Sequence, residues 1–198
     1  MPTTRPASPS PTTRDRLLAL GSLPAAAAVL TGTNALYLLL VVFGNVTDFA
    51  TNQQFVQHVL AMDTTFHDRN LMWRSVTSPG LQNAAYVAII AWEALSALVL
   101  TAGTFAWWLR PELARRLSSL GLLLMLLLFG AGFIGIGGEW FAMWQSKTSN
   151  GLDAAIRNVT LSGLALVVVN LPHPTHTQRA AEGRAGRSPD ENGAENVG

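Results

Sequence analysis

The sequence has no cysteine among its 198 residues, which excludes disulfide bonds and thiol chemistry within this chain. Charged side chains are also scarce, at 13% of the residues, whereas a soluble domain carries about 25%. The formal net charge of +1 gives no reason to expect nucleic acid as a partner. Catalytic signatures are missing as well, since the chain has no nucleophile elbow, phosphate loop, H-E-x-x-H pair or EF-hand loop.

Hydrophobic residues, by contrast, make up 49% of the chain and concentrate in four long runs. A helix needs about 20 mostly apolar residues to cross a bilayer, so each run predicts one membrane span. We predict an all-α, four-helix transmembrane bundle with the bilayer as its main partner. The predicted spans are residues 17–43, 81–109, 117–141 and 151–171, and the predicted disordered tails are residues 1–16 and 172–198.

The basic residues predict the orientation of this bundle, because positively charged connections stay on the cytoplasmic side. If both termini are cytoplasmic, nine basic residues lie inside and four lie outside. The inner set is Arg5, Arg14, Arg16, Arg110, Arg115, Arg116, Arg179, Arg184 and Arg187, and the outer set is Arg69, Arg74, Lys147 and Arg157. We therefore expect a multi-pass protein of the bacterial cytoplasmic membrane, with residues 44–80 as an outer cap.

The outer cap is polar yet patterned. Thr51 and Gln54 form a T-x-x-Q capping box, which predicts the start of a short amphipathic helix in this first outer loop. We expect that helix to lie flat on the membrane or to close the end of the bundle. The residues that we predict to form a ligand-binding or polar cluster are Asp48, Asn52, His58, Asp63, Trp73, Arg74, Glu93, Glu139, Trp140 and Gln145.

Glu93 is the most informative of these residues because it interrupts the second apolar run. An ionisable group at the centre of a span costs about 2.5–3.5 kcal/mol, so it normally faces the bundle interior and has a partner or a function. We expect Glu93 to be protonated or paired, with Arg74 as its partner and Asn34 at a similar depth on the first span. Two interpretations stay open, a hydrogen bond that orients the bundle and a ligand or proton site.

Two further patterns have more than one interpretation. The string G-x-G-x-x-G at residues 130–135 does not follow a strand, so we interpret Ala131, Gly135, Gly138 and Ala142 as a helix-packing stripe. His58 and Met62 share a helix face and could bind copper, haem iron or zinc. No second ligand pair accompanies them, so we assign no metal ligand and no catalytic residue, and we leave the cofactor open.

A set of polar and aromatic residues in the cap and the spans also resembles a known family. The set is Asn45, Asp48, Asn52, Phe55, Val56, His58, Val59, Leu60, residues 62–66, residues 72–74, Trp92, Glu93, residues 138–141 and residues 143–146. Over about residues 34–171, the chain resembles an uncharacterised bacterial family of predicted small integral membrane proteins, a domain of unknown function. The resemblance implies a four-helix inner-membrane protein and implies no activity.

Three functional hypotheses follow from these observations. The first is a non-enzymatic accessory protein that docks to a larger membrane complex, or one that holds a small amphiphile such as a quinone or lipid at a polar site on the outer face. The second is a proton-coupled transporter in which Glu93 titrates, which would need a homo-oligomer because four spans are few for a carrier. The third is a membrane enzyme that uses Glu93, His58 and Asp63 in acid–base chemistry.

Overall fold

Four helices are long and apolar enough to cross a membrane in the computed structural model, which describes residues 21–172. They are α1 (Leu23–Thr47), α3 (Pro79–Leu109), α4 (Pro111–Trp140) and α5 (Leu152–Asn170), and a shorter helix, α2 (Phe49–Ala61), follows α1. Short 3-10 turns occur at Met72–Arg74 and Met143–Gln145. The all-α, four-span prediction is therefore confirmed, and both predicted tails, apart from Pro172, lie outside the described residues.

Proline marks the start of three of these helices. Pro24, Pro79 and Pro111 each occupy the first turn of their helix, where the missing N–H would have no intrahelical partner in any case. Arg110 alone separates α3 from α4, so the chain reverses direction within one residue. This short connection makes α3 and α4 antiparallel neighbours.

Small residues let α3 and α4 approach each other closely. A Cβ atom placed on Gly121 would lie 2.5 Å from Cγ of Leu100, and one on Gly103 would lie 3.0 Å from the backbone nitrogen of Ser118. Only glycine fits at such contacts without a shift of the neighbouring helix. The outward faces carry exposed apolar side chains, such as Leu36, Phe43 and Leu98, which is the distribution expected of helices that lipid surrounds.

The second half of α4 is wider than an α-helix. Residues Leu127–Trp140 form a π-helix, in which each N–H reaches the carbonyl five residues earlier. The predicted packing stripe assumed α-helical spacing. Its four residues do not share one helix face in a π-helix, so that prediction is wrong. Ala131 and Gly135 are exposed, and Ala142 lies beyond the helix with a positive φ of 51°. Gly138 alone packs as predicted, since a Cβ there would lie 2.9 Å from Leu152.

Helix α2 packs along the first turns of α3. The rings of Phe49 and Tyr86 lie 4.7 Å apart, and Gln53 Nε2 donates to Asn83 Oδ1 at 2.7 Å. The helix begins at Phe49 without a side-chain cap, so Thr51 lies inside it and the predicted capping box does not start it. These contacts show that α2 runs antiparallel to α3. Helix α2 therefore extends the bundle past the end of α1.

Candidate functional site

Glu93 lies near the middle of α3, where only 3% of its surface is exposed. Its Oε2 accepts a 2.7 Å hydrogen bond from Nδ2 of Asn45, two residues before the end of α1. Oδ1 of Asn45 in turn accepts a 2.7 Å bond from Nδ2 of Asn52 on α2. The buried carboxyl group is therefore connected through the amide of Asn45 to Asn52, an exposed residue on another helix.

The prediction that Arg74 is the partner of Glu93 was wrong. Arg74 belongs to a 3-10 turn beyond the bundle, where its guanidinium carbon lies 4.9 Å from the ring of Trp140 and its Nη1 donates to the Trp140 carbonyl at 3.4 Å. Asn34 donates to the carbonyl of Leu30 in its own helix. Because α1 continues to Thr47, Asn45 occupies the position beside the carboxyl group.

Glu93 borders a cavity of about 260 Å³ to which all five helices contribute. Asn45 and Tyr37 line it from α1, and Asn158 lines it from α5. Four aromatic residues, Phe55, Tyr86, Phe129 and Phe133, also line it. The lining is therefore mostly apolar and aromatic but includes a small set of polar side chains, and we call this cavity the polar chamber.

Two buried polar atoms of this polar cavity have no hydrogen-bond partner within the described part of the protein. They are Oη of Tyr86 and Oδ1 of Asn158, on residues that are 2% and 1% exposed. The amide nitrogen of Asn158 is used, since it donates to Oη of Tyr37 at 2.9 Å. A buried polar atom without a partner costs about 1–3 kcal/mol. A polar guest that reached these atoms from the chamber would remove this cost.

Sequence reasoning missed Tyr37 and Asn158 and did not connect Asn45 with Glu93. The hydropathy pattern that identified Glu93 could also have identified these three residues. Each is a polar side chain inside or at the end of an apolar run, and such residues normally face the bundle interior.

A second cavity, of about 330 Å³, adjoins the polar one. The two share the lining residues Phe55, Val56, Ile89 and Phe133. The other side chains of the second cavity are apolar and come from α2, α3 and the region around the π-helical half of α4. Ile136, which lines it, is 55% exposed. This cavity, which we call the apolar chamber, therefore has an exposed residue in its lining and lies next to the polar chamber.

Three other predicted site residues, Trp73, Arg74 and Trp140, contact one another at the end of the bundle where α2 lies, and a fourth, Gln145, contacts the segment that follows α2. The rings of Trp73 and Trp140 pack edge to face at 5.5 Å, and the guanidinium group of Arg74 lies against both. Gln145 is buried, and its Oε1 accepts a 3.0 Å bond from the backbone of Phe66. These contacts attach the connection that follows α2 to the connection that follows α4.

The remaining predicted residues lie at the surface. Nδ1 of His58 contacts Oδ2 of Asp63 at 2.9 Å, with about half of each side chain exposed. Asp48 and Glu139 are exposed. Residues 21–172 contain no group of three or more His, Cys, Asp or Glu side chains that could hold a metal ion. The predicted single cluster is therefore divided among the polar cavity, the aromatic contacts at the α2 end and the surface, and the roles of its members stay a prediction.

Comparison with known proteins agrees with this architecture. No curated protein and no solved structure matches the chain significantly. Residues 23–172, which span α1 to α5, match a family described as "Predicted small integral membrane protein (DUF2165)". The chain therefore belongs to this family of predicted small integral membrane proteins.

Proposed function

We propose that this protein binds a small amphiphile within the membrane and has no catalytic role. The polar head of the ligand would lie beside Glu93, and its apolar part would lie in the second cavity. The observation that carries this proposal is that a cavity with an apolar lining lies next to one that carries the polar groups of Tyr86, Glu93 and Asn158.

The polar chamber supplies groups that a head group can satisfy. Tyr86 and Asn158 each have a buried polar atom without a partner, and the carboxyl group of Glu93 borders the same space. Because a buried polar atom is costly until it is hydrogen-bonded, a ligand that bonds to several of these groups would stabilise the folded bundle. Binding would then raise the temperature of unfolding.

The apolar chamber supplies the remaining contact area. Ligand pockets in proteins measure about 300–1,000 Å³ and are mostly apolar, with a few polar groups that orient the ligand. The two adjoining chambers, of about 330 and 260 Å³, together have this size and character. The exposed position of Ile136 offers a route from the lipid to the apolar chamber.

We place the protein in the cytoplasmic membrane of a bacterium, with both termini in the cytoplasm. The support is the excess of basic residues in the terminal segments and around the turn between α3 and α4, where Arg110 is followed by Arg115 and Arg116 at the start of α4. In this orientation α2 and the polar chamber lie toward the outer side. A reporter enzyme that works only in the cytoplasm should be active when it is fused after residue 198. A reporter enzyme that works only after export should be inactive at the same position.

A proton-coupled carrier is the second candidate, and the buried titratable side chain of Glu93 at the polar chamber favours it. Tyr37 and Tyr86 are the other titratable groups that line the polar chamber. A carrier would move an amphiphile into proteoliposomes in response to a pH gradient, and Glu93→Gln would abolish the dependence on the gradient. Saturable binding of the amphiphile without such uptake would instead support the proposal of a binding protein.

The proposal can be tested by counting bound ligands with native mass spectrometry of the purified full chain. The probes are octan-1-ol, octylamine and octanoate, each added separately. We expect at least one probe to bind saturably at one molecule per chain. Ala85→Phe, which adds a ring to the apolar chamber, should abolish that binding.

Ala91→Phe is the matched control, since Ala91 is an exposed residue of the same helix and lines neither chamber. It should bind the probe as the wild type does. The proposal is wrong if none of the three probes binds saturably, or if Ala85→Phe and Ala91→Phe bind equally well.

A further inference from the structure

We infer that the head group bound in the polar chamber is a protonated amine. The inference rests on the proposed binding function and specifies its ligand class. The protein would thus select alkylammonium amphiphiles over neutral or anionic amphiphiles of the same length.

The first argument is the hydrogen-bonding capacity of the chamber. Oδ1 of Asn158 can only accept hydrogen bonds, Oη of Tyr86 can accept one, and neither atom has a partner within the described residues. Ionised Glu93 adds further acceptor positions. A primary ammonium group has three donors and no acceptor, so its donors equal these acceptor side chains in number, whereas a hydroxyl group has one donor.

The second argument is charge. Among the described residues that line the polar chamber, Glu93 is the single acid, and none is Arg, Lys or His. Asn45, which is hydrogen-bonded to Glu93, is neutral. A buried carboxylate without a counter-ion is costly, and a bound ammonium group would supply the missing positive charge. An anionic head group would instead be repelled by ionised Glu93.

The third argument is the aromatic lining. The rings of Tyr37, Phe55, Tyr86, Phe129 and Phe133 border the same chamber. The face of an aromatic ring attracts a cation, and the attraction is stronger where water is excluded. Phe55 and Phe133 also border the apolar chamber, so the rings extend from the head-group region toward the space for the alkyl chain.

The test compares octylamine with octan-1-ol, which have the same chain length and similar size. Their affinities are measured for the full chain in phosphatidylcholine nanodiscs, with the signal from empty nanodiscs subtracted. We expect octylamine to bind at least about tenfold more tightly than octan-1-ol, because hydrogen bonds to charged groups are stronger than neutral ones.

Glu93→Gln should weaken octylamine binding by about tenfold or more and leave octan-1-ol binding within about threefold, because only the amine loses its counter-ion. Glu112→Gln makes the same chemical change at an exposed residue in the first turn of α4. Glu112 does not line the polar chamber, and this variant should bind both probes as the wild type does.

The outcomes distinguish this inference from the proposed function. Equal affinities of the wild type for the two probes would overturn the amine assignment and leave the binding function standing. Saturable binding of neither probe would overturn both. If Glu93→Gln does not fold, the comparison of the two probes on the wild type still decides the question.

Discussion

The contact between Gly121 and Leu100 predicts a measurable cost for a single added methyl group. A Cβ atom at Gly121 would lie 2.5 and 2.7 Å from two side-chain carbons of Leu100, and 3.3 Å from its backbone nitrogen. Leu100 is fully buried, so its side chain has little room to move away. The helices α3 and α4 must therefore separate locally, or Leu100 must adopt an unfavourable rotamer.

The magnitude follows from two opposing effects of Gly121→Ala. Alanine is favoured over glycine within a helix by about 0.8–1.0 kcal/mol, whereas overpacking a buried contact costs about 1–3 kcal/mol. Gly163→Ala isolates the first effect, because a Cβ at Gly163 on α5 would have no other atom within 4 Å. We expect Gly121→Ala to be less stable than Gly163→Ala by about 1–3 kcal/mol.

The assay is unfolding of the purified protein in mixed micelles, followed by helical circular dichroism as the denaturing detergent increases. Leu100→Ala combined with Gly121→Ala provides a double-mutant cycle, and the pair should be less destabilised than the sum of the single changes by about 1–3 kcal/mol. Equal stability of Gly121→Ala and Gly163→Ala, or additivity of the pair, would refute the close contact of α3 with α4.

Three further predictions concern the polar groups. Asn45→Leu should lower the free energy of unfolding by about 1–3 kcal/mol, because it breaks two buried or half-buried hydrogen bonds, while Asn34→Leu, which loses one bond within its own helix, should cost less. Gln145→Leu should increase the rate of amide hydrogen exchange at Phe66, because its N–H would lose its acceptor. An unchanged rate would show that this hydrogen bond does not hold the segment after α2 in place. Metal analysis of the purified wild type should find less than one metal ion per chain. One metal ion per wild-type chain, lost in the variant His58→Ala, would contradict this prediction.

The four spans could be predicted because the signal is local. Any run of about 20 apolar residues can satisfy its own backbone hydrogen bonds in lipid as a helix, whatever its neighbours are. The burial of Glu93 could be predicted for the same reason, since an acid in an apolar run is visible without knowledge of the fold.

The partners of Glu93 could not be predicted in this way. The apolar run ends at Phe43, but α1 continues to Thr47, and this extension by one turn places Asn45 beside the carboxyl group. Helix ends depend on packing against other elements, which a hydropathy pattern does not contain. Arg74 does not contact Glu93 because its guanidinium group lies over the ring of Trp140.

The sequence by itself thus determined the number of spans, the solvent that surrounds them and the presence of one buried acid. Only the tertiary structure decided that Asn45, Tyr37 and Asn158, from two other helices, meet around that acid. It also decided that α4 widens into a π-helix and breaks the spacing of the predicted stripe. The physical reason is that hydrophobicity acts residue by residue, whereas a cavity exists only where several helices fail to fill the space between them.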